Sequence, residues 1–358
     1  MLKSKLIMIK SPALQDSENF CFKILPFVSR TFALNISFLK GEVHLAVVIS
    51  YLMCRLADTF EDNTYLDKKT KKDLLIYFPD LLKQKSVNEK DLSPLKKPFQ
   101  NIKEHASYKE LVFNSEKVFD CYFHLSKPFQ KTIYNCVKEM CEGMIETLEQ
   151  TSQNGFYLSN IKDLDDYCYY VAGTVGVFLT ESFFIHSRYI SEKTKDQMKE
   201  KEVSFGLGLQ ITNIVKDSYS DYKRGTCYIP LDLIKKYDIP TKSFFDKDYN
   251  SKSILVFNDL IDKALSHLDD AIAYTLLIPR RERGLRIFCL LPIFFAIKTL
   301  LLAKNNHDLL LEKNVVKVTR WTILSTIIKI RLFYWSNTWI KITYHNLRRK
   351  CDFLKTVR

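Results

Sequence analysis

The sequence predicts an all-α protein, and three observations carry that expectation. Glycine (9) and proline (10) are scarce among 358 residues, so helix breakers are few. Long apolar-periodic stretches run between them. Two acidic clusters, Asp58-Thr59-Phe60-Glu61-Asp62 and Asp217-Ser218-Tyr219-Ser220-Asp221, each place two aspartates four residues apart. On a helix that spacing puts both carboxylates on one face, roughly 6 Å apart along the axis.

Residues 18–66 read as two helices separated at Gly41. The second carries Val47, Tyr51, Arg55, Asp58 and Asp62 as a ladder down one face. Residues 67–110 are lysine-rich, with Pro79, Pro94 and Pro98, and read as short helices and loops at the surface. A helix is expected over Lys127–Gln150, a loop over Thr151–Gly155, and another helix from Leu164, after Asp163. That helix holds Gly173 and Gly176; Gly206 and Gly208 precede the second acidic cluster. Each mid-helix glycine costs about 1 kcal/mol against alanine. Either close helix approach or room for an isoprenoid chain would offset that. No internal repeat and no linker appear, so one large domain is expected.

The composition, 46% hydrophobic and 27% charged, suits a large core. Phenylalanine (25), tyrosine (19) and tryptophan (3) crowd the motif segments, which fits an apolar cavity as well as a core. Nine cysteines show no CxxC pair and read as reduced core residues of a cytosolic protein; a zinc site has no support. The start shows no signal-peptide pattern. Ile287–Ile297 is the most apolar run, too short to span a bilayer, and reads as a buried core helix.

The net charge is +13, and residues 315–358 hold ten Lys/Arg against one acid, Asp352. No stacking motif or zinc finger accompanies the charge, so nucleic acid is not the expected partner. The tail mixes Trp321, Ile327, Ile328, Phe333, Trp335, Trp339 and Ile340 with its cations. It suits either an anionic membrane surface or a helix packed on the domain with a solvated basic face.

Gln210, Asn213, Asp217 and Asp221 form one polar stripe at 3-4-4 spacing, beside Leu209, Ile211, Ile214 and Val215. Tyr222-Lys223-Arg224-Gly225 follows, and Arg55 precedes Asp58 by three residues. Like charges one turn apart repel unless a cation sits between them. Carboxylates for a hard cation, with Lys and Arg for phosphate oxygens, are what a Mg²⁺–diphosphate site needs.

Four blocks now carry a resemblance. Ser29-Arg30-Thr31-Phe32, the run from Tyr51 to Asp62, Tyr167-Cys168-Tyr169-Tyr170-Val171-Ala172-Gly173 and the run from Gln210 to Asp217 resemble the squalene/phytoene synthase family, in its order and spacing. The resemblance covers roughly residues 18–300. Residues 29–36 and the run from Glu282 to Leu290 look most like the family's bacterial squalene synthases. It implies a single-domain isoprenoid synthase fold (class I terpenoid) with a central cavity. The expected organisation is an N-terminal extension (1–17), a catalytic domain (18–310) and a basic, aromatic-rich amphipathic tail (311–358).

By that resemblance, two farnesyl diphosphates couple head to head to presqualene diphosphate, releasing inorganic diphosphate, and NADPH reduces the intermediate to squalene. Asp58, Glu61, Asp62, Asp217 and Asp221 would hold Mg²⁺. Ser29, Arg30, Arg55, Lys216 and Arg224 would contact diphosphate or cofactor. Phe32, Tyr51, Tyr167, Gln210 and Asn213 match positions at the reaction centre. Tyr167 reads equally as a proton relay or a buried tyrosine bonded to backbone. Lys216 stands where the family commonly has Arg, and Thr226-Cys227 where many members have a basic residue. No dinucleotide-binding glycine fingerprint is present, so NADPH rests on the resemblance. The expected location is cytoplasmic, peripheral on the inner face of the membrane through the tail. The alternatives are a dehydrosqualene or phytoene synthase that omits reduction, a non-catalytic binding or assembly factor on the same fold, and a cyclising or chain-elongating enzyme. The Tyr167–Gly173 and Ser29–Phe32 blocks do not resemble the last group.

Overall fold

The computed structural model describes residues 11–101, 105–150, 155, 158–311 and 316–356, with the side chains of Arg30, Thr31, Lys355 and Thr356 outside the description. Among the described residues every extended element is helical. In chain order these are α1 (Pro12–Val28), α2 (Arg30–Ile36), α3 (Glu42–Asp62), α4 (Lys68–Leu81), α5 (Glu89–Lys96), α6 (Ala106–Phe113), α7 (Ser115–His124) and α8 (Lys127–Glu149). There follow α9 (Ile161–Cys168), α10 (Thr174–His186), α11 (Glu192–Lys223), α12 (Leu231–Lys236), α13 (Asn250–Leu277), α14 (Arg283–Ala303), α15 (Arg320–Phe333) and α16 (Asn337–Thr356).

Local chemistry explains the starts and stops. Ser11 caps α1 by accepting from the Leu14 N–H, with Pro12 at the first helical position, so this helix begins ahead of residue 18. Gly41, at φ +70°, makes the expected break before α3. The helix expected from Leu164 begins at Ile161 instead. Asn160 and Asp163 form a reciprocal capping box, so Asp163 lies inside the first turn.

The lysine-rich segment after residue 66 is more than a surface excursion. Leu74, Leu75 and Phe78 of α4 are buried, as are Leu92, Leu95 and Phe99. Phe78 meets Phe60 and Phe119 edge-on, at centroid distances of 5.5 and 6.0 Å. All nine cysteines are free and buried, as expected for core residues.

α2, α3, α8, α10, α11 and α14 surround a central chamber. α11 packs along α13 on one side and α10 on the other. Between α9 and α10 the chain makes one π-helical turn, Tyr169–Gly173, which turns Val171 and Ala172 toward the chamber. Glycines set the spacing here. A Cβ on Gly206 would collide with the Ala172 carbonyl, and one on Gly176 with the Glu202 carbonyl. Both glycines also line the chamber, so close approach and cavity space are served together.

Three helical runs are long and apolar enough to cross a membrane by length and composition: α3, Ile161–His186 and α14. In this fold they wall the chamber, and the apolar windows of α3 and α14 are 72% and 78% covered by protein. α14 contains the apolar run Ile287–Ile297 and packs against α11, α13, α15 and α16.

Arg286 of α14 is fully buried and is held by acceptors instead of a carboxylate. Its Nε donates to the Tyr334 carbonyl at 2.8 Å, Nη1 to the Ile278 carbonyl at 2.6 Å, and Nη2 to Asn337 Oδ1 at 2.7 Å. Burial, with Arg280 nearby, pulls its pKa down to about 10. This one side chain ties the end of α13, the end of α15 and the start of α16 together.

The glycine contact yields a direct test. Gly206→Ala should push the π-helical turn and α11 apart and cost about 1–3 kcal/mol. A lower urea midpoint at unchanged m-value measures it.

Candidate active site

α3 presents Tyr51, Arg55, Asp58 and Asp62 along one face, as the four-residue ladder requires. Arg55 forks between neighbours on its own helix. Nη2 donates to the Tyr51 hydroxyl at 3.0 Å and Nη1 pairs with Asp58 Oδ2 at 3.1 Å. The guanidinium also sits over the rings of Tyr51 (5.7 Å) and Tyr108 (5.6 Å). Burial opposes its charge, but Asp58 and Tyr51 outweigh that and hold Arg55 protonated more firmly than usual.

α11 supplies the facing wall with Gln210, Asn213, Lys216, Asp217 and Asp221. Lys216 Nζ lies 3.0 Å from Asp217 Oδ2 and 3.5 Å from Asn213 Oδ1. Arg224, just beyond the helix end, pairs with Asp221 and also acts on Asp62 across the cleft. The two acidic clusters therefore share one polar cavity of about 450 Å³. Eleven of the fifteen site residues expected from the sequence line it: Arg55, Asp58, Glu61, Asp62, Tyr167, Gln210, Asn213, Lys216, Asp217, Asp221 and Arg224.

The carboxylates are recessed yet reach water through the cleft, and their pKa values move accordingly. Burial raises Asp58 against the pull of Arg55. Burial, then Asp62 and Asp58, push Glu61 well up. Burial and Asp58 push Asp62 up to about 6, opposed by Arg55, Arg224 and Lys71. Burial raises Asp221 against Arg224. Each prefers a positive neighbour it only partly has.

The polar cavity adjoins an apolar chamber of about 250 Å³, with Arg55, Asp58, Val171, Gln210 and Asn213 on their common boundary. Phe32 and Tyr51, their rings 5.9 Å apart, wall the apolar side with Phe178, Leu179, Phe205 and Phe288. A third cavity of about 750 Å³ is lined by Ser29, Phe32, Tyr51, Asn213, Lys216, Lys317 and Arg320 among others. Ser29 thus stands apart from the carboxylates, and the Arg30 side chain lies outside the described residues.

Three neighbours of the site escaped the sequence reading. Tyr228 stacks on Tyr167 with ring centroids 4.3 Å apart and planes 12° from parallel, and their hydroxyls pair. Burial first, then Tyr228, Glu61 and Asp62, hold the Tyr167 phenol well above its ordinary pKa. Lys71 faces Glu61 and Asp62, hidden in sequence among the lysines that open α4. Tyr108 reaches Arg55 from α6.

The donor set suits Mg²⁺ bound jointly with phosphate. Among the described residues no three carboxylate, histidine or cysteine groups converge to form a cage. Mg²⁺ takes one or two carboxylates and completes its shell with water and substrate phosphate. Asp58 with Asp62, and Asp217 with Asp221, offer that on opposite walls. For a phosphate-bearing reductant, the third cavity offers Lys216, Lys317 and Arg320 beside Tyr51 and Asn213, and these cations fit its phosphates.

The profile of the squalene/phytoene synthase family matches residues 25–322. The squalene synthase of Cyberlindnera jadinii is 30% identical over 323 residues, 90% of this chain and 69% of the relative. That of Saccharomyces cerevisiae is 30% identical over 313 residues, 87% of this chain and 66% of the relative. The chain thus spans about two thirds of the length of these curated relatives. A solved complex of TcSQS with a ligand superposes at a TM-score of 0.78, with 25% identity, covering 95% of this chain and 96% of the other. With two carboxylate-bearing helices opposed over an apolar chamber and a family match across most of its length, the chain belongs to the squalene/phytoene synthase family and is a prenyltransferase-type enzyme.

Proposed function

We propose that the protein is a squalene synthase: it couples two farnesyl diphosphates to presqualene diphosphate and reduces that intermediate to squalene with NADPH. The carrying observation is the direct contact between the carboxylate-lined cavity and the apolar chamber, across Gln210 and Asn213. A molecule with a diphosphate head and a hydrocarbon chain needs that juxtaposition. The names of the two yeast relatives favour squalene over other products.

Asp58, Asp62, Asp217 and Asp221, with Glu61 beside them, hold Mg²⁺ in this reading. When bound, the metal neutralises charge on the leaving diphosphate. Arg55, Lys216 and Arg224 add charge-assisted hydrogen bonds to phosphate oxygens. Their placement beside the carboxylates lets them favour the departing group more than the intact ester. Phe32, Tyr51, Phe178 and Phe205 line the chamber; in this reading they keep water from the allylic cation and stabilise it through their rings. The Tyr167–Tyr228 pair offers a hydroxyl at the polar edge, where a proton can be held or handed on. The reductant's phosphates meet Lys216, Lys317 and Arg320.

Three outcomes test this reading. Incubation with farnesyl diphosphate, Mg²⁺ and NADPH should yield squalene, read by gas chromatography of the hydrocarbon extract. Dehydrosqualene as the sole product despite excess NADPH would reject the reductive half. Asp58→Asn and Asp217→Asn should each lower kcat at least about 100-fold with the helical circular dichroism spectrum retained, as expected on loss of a group that stabilises developing charge. A binding or assembly role would survive both changes.

The raised Asp62 pKa sets a pH dependence. Because its folded value, about 6, exceeds its ordinary value of 3.8, ionisation disfavours the folded state. That penalty is absent below about pH 4 and complete above about pH 6. Asp62→Asn should therefore raise the thermal midpoint of the metal-free protein at neutral pH. The gain should fade as pH drops toward 4, as followed by calorimetry.

A further inference from the structure

The outward face of α15 is apolar where a solvated helix would be polar. Trp321 is 80% exposed, and Leu324, Ile328, Leu332 and Trp335 are between 47% and 61% exposed. Their spacing of three, four, four and three residues lays them along one stripe. Thr326 and Ile330 are buried on the opposite side, where the helix packs on α14. The helix is therefore apolar on two sides, and only one of them is covered among the described residues.

The flanks of the stripe are basic. Lys329 lies on one side and Arg331 on the other, and α15 contains no Asp or Glu. The Trp335 indole N–H donates to the Leu332 carbonyl at 3.0 Å, so the ring can enter an apolar layer without an orphaned donor. Three other apolar tail residues turn inward. Ile340 is buried, Ile327 is half-buried, and Trp339 stacks on Phe333 and Phe294 at 5.0 and 6.2 Å. Ile342 and Phe353 are exposed on α16, but the continuous apolar stripe lies on α15.

We propose that α15 docks in the plane of an anionic lipid bilayer. Trp321, Ile328 and Leu332 enter the headgroup–acyl boundary, and Lys329 and Arg331 meet lipid phosphates. Charge selects this occupant: two copies of an all-cationic face repel each other, whereas anionic headgroups complement the flanks and acyl chains the stripe. Val316, Val318 and Ile323, at the entrance to α15, line the third cavity, so docking sets one wall of that cavity beside the lipid. This inference is independent of which hydrocarbon the enzyme releases.

Co-sedimentation of the full chain with vesicles tests it, using phosphatidylcholine alone and phosphatidylcholine with about a third phosphatidylglycerol. Binding should favour the anionic vesicles and weaken with salt. The variant Trp321→Ser/Ile328→Ser/Leu332→Ser should bind at least about tenfold more weakly, while turnover of detergent-dispersed farnesyl diphosphate and the thermal midpoint stay unchanged. Should that variant not fold, Lys329→Gln/Arg331→Gln keeps the comparison, because both side chains reach solvent; it should lose the preference for anionic lipid. Unaltered binding by a folded variant, or equal binding of the wild type to both vesicle types, would overturn the proposal. So would a wild-type chain that ignores vesicles and dimerises through α15.

Discussion

Like charge held against like charge is the constraint on which this structure depends. Burial raises the pKa of Asp58, Glu61 and Asp62 on α3 and of Asp221 on α11; neighbours on the same helix add repulsion at Glu61 and Asp62, and Asp217 adds it at Asp221. Such an arrangement disfavours burying either acidic face. It persists because the rest of each helix is committed elsewhere. α3 buries residues from Val43 through Phe60, and α11 is locked to the π-helical turn at Gly206 and to α10 at Gly176 by contacts that admit no side chain. Arg55, Lys71 and Arg224 offset part of the repulsion without cancelling it. The core thus holds in place a site that would not assemble by itself.

The boundary between the two chambers is made by few residues. Gln210 and Asn213 belong to both, as do Arg55 and Asp58, so charge ends within one helical turn of the aromatic wall. The π-helical turn contributes from the other side. It breaks the register of an otherwise continuous helix and brings Val171 to the boundary while Tyr167 remains among the polar groups. A regular helix carries its side chains at a fixed 3.6-residue period and cannot make that offset.

Much of this was legible because helical period is a local property. Four-residue spacing alone placed Asp58 with Asp62 and Asp217 with Asp221, and the scarcity of breakers foretold the helices. That the clusters oppose each other came from resemblance, since nothing in either segment encodes the other's position. Tyr228 was not legible as a partner of Tyr167, because the turn at Gly225 brings them together only in the folded chain. Lys71 was masked by identical neighbours in Lys68–Lys72, and only packing of α4 on α8 and α3 shows which lysine turns inward. The tail shows the same limit. Trp321 and Trp339 sit in similar basic, apolar surroundings, yet one faces solvent and the other is stacked in the structure.

Arg286 links two events that lie far apart in the sequence. Two of its acceptors, at Tyr334 and Asn337, follow it by 48 and 51 residues. A ribosome therefore makes the guanidinium long before most of its binding site exists, and during that interval the group must stay hydrated. Full closure of α14 around the chamber has to wait for α15 and the start of α16 to emerge. The last helices of the chain thus act on α14 late, and its final packing is set by residues translated after it.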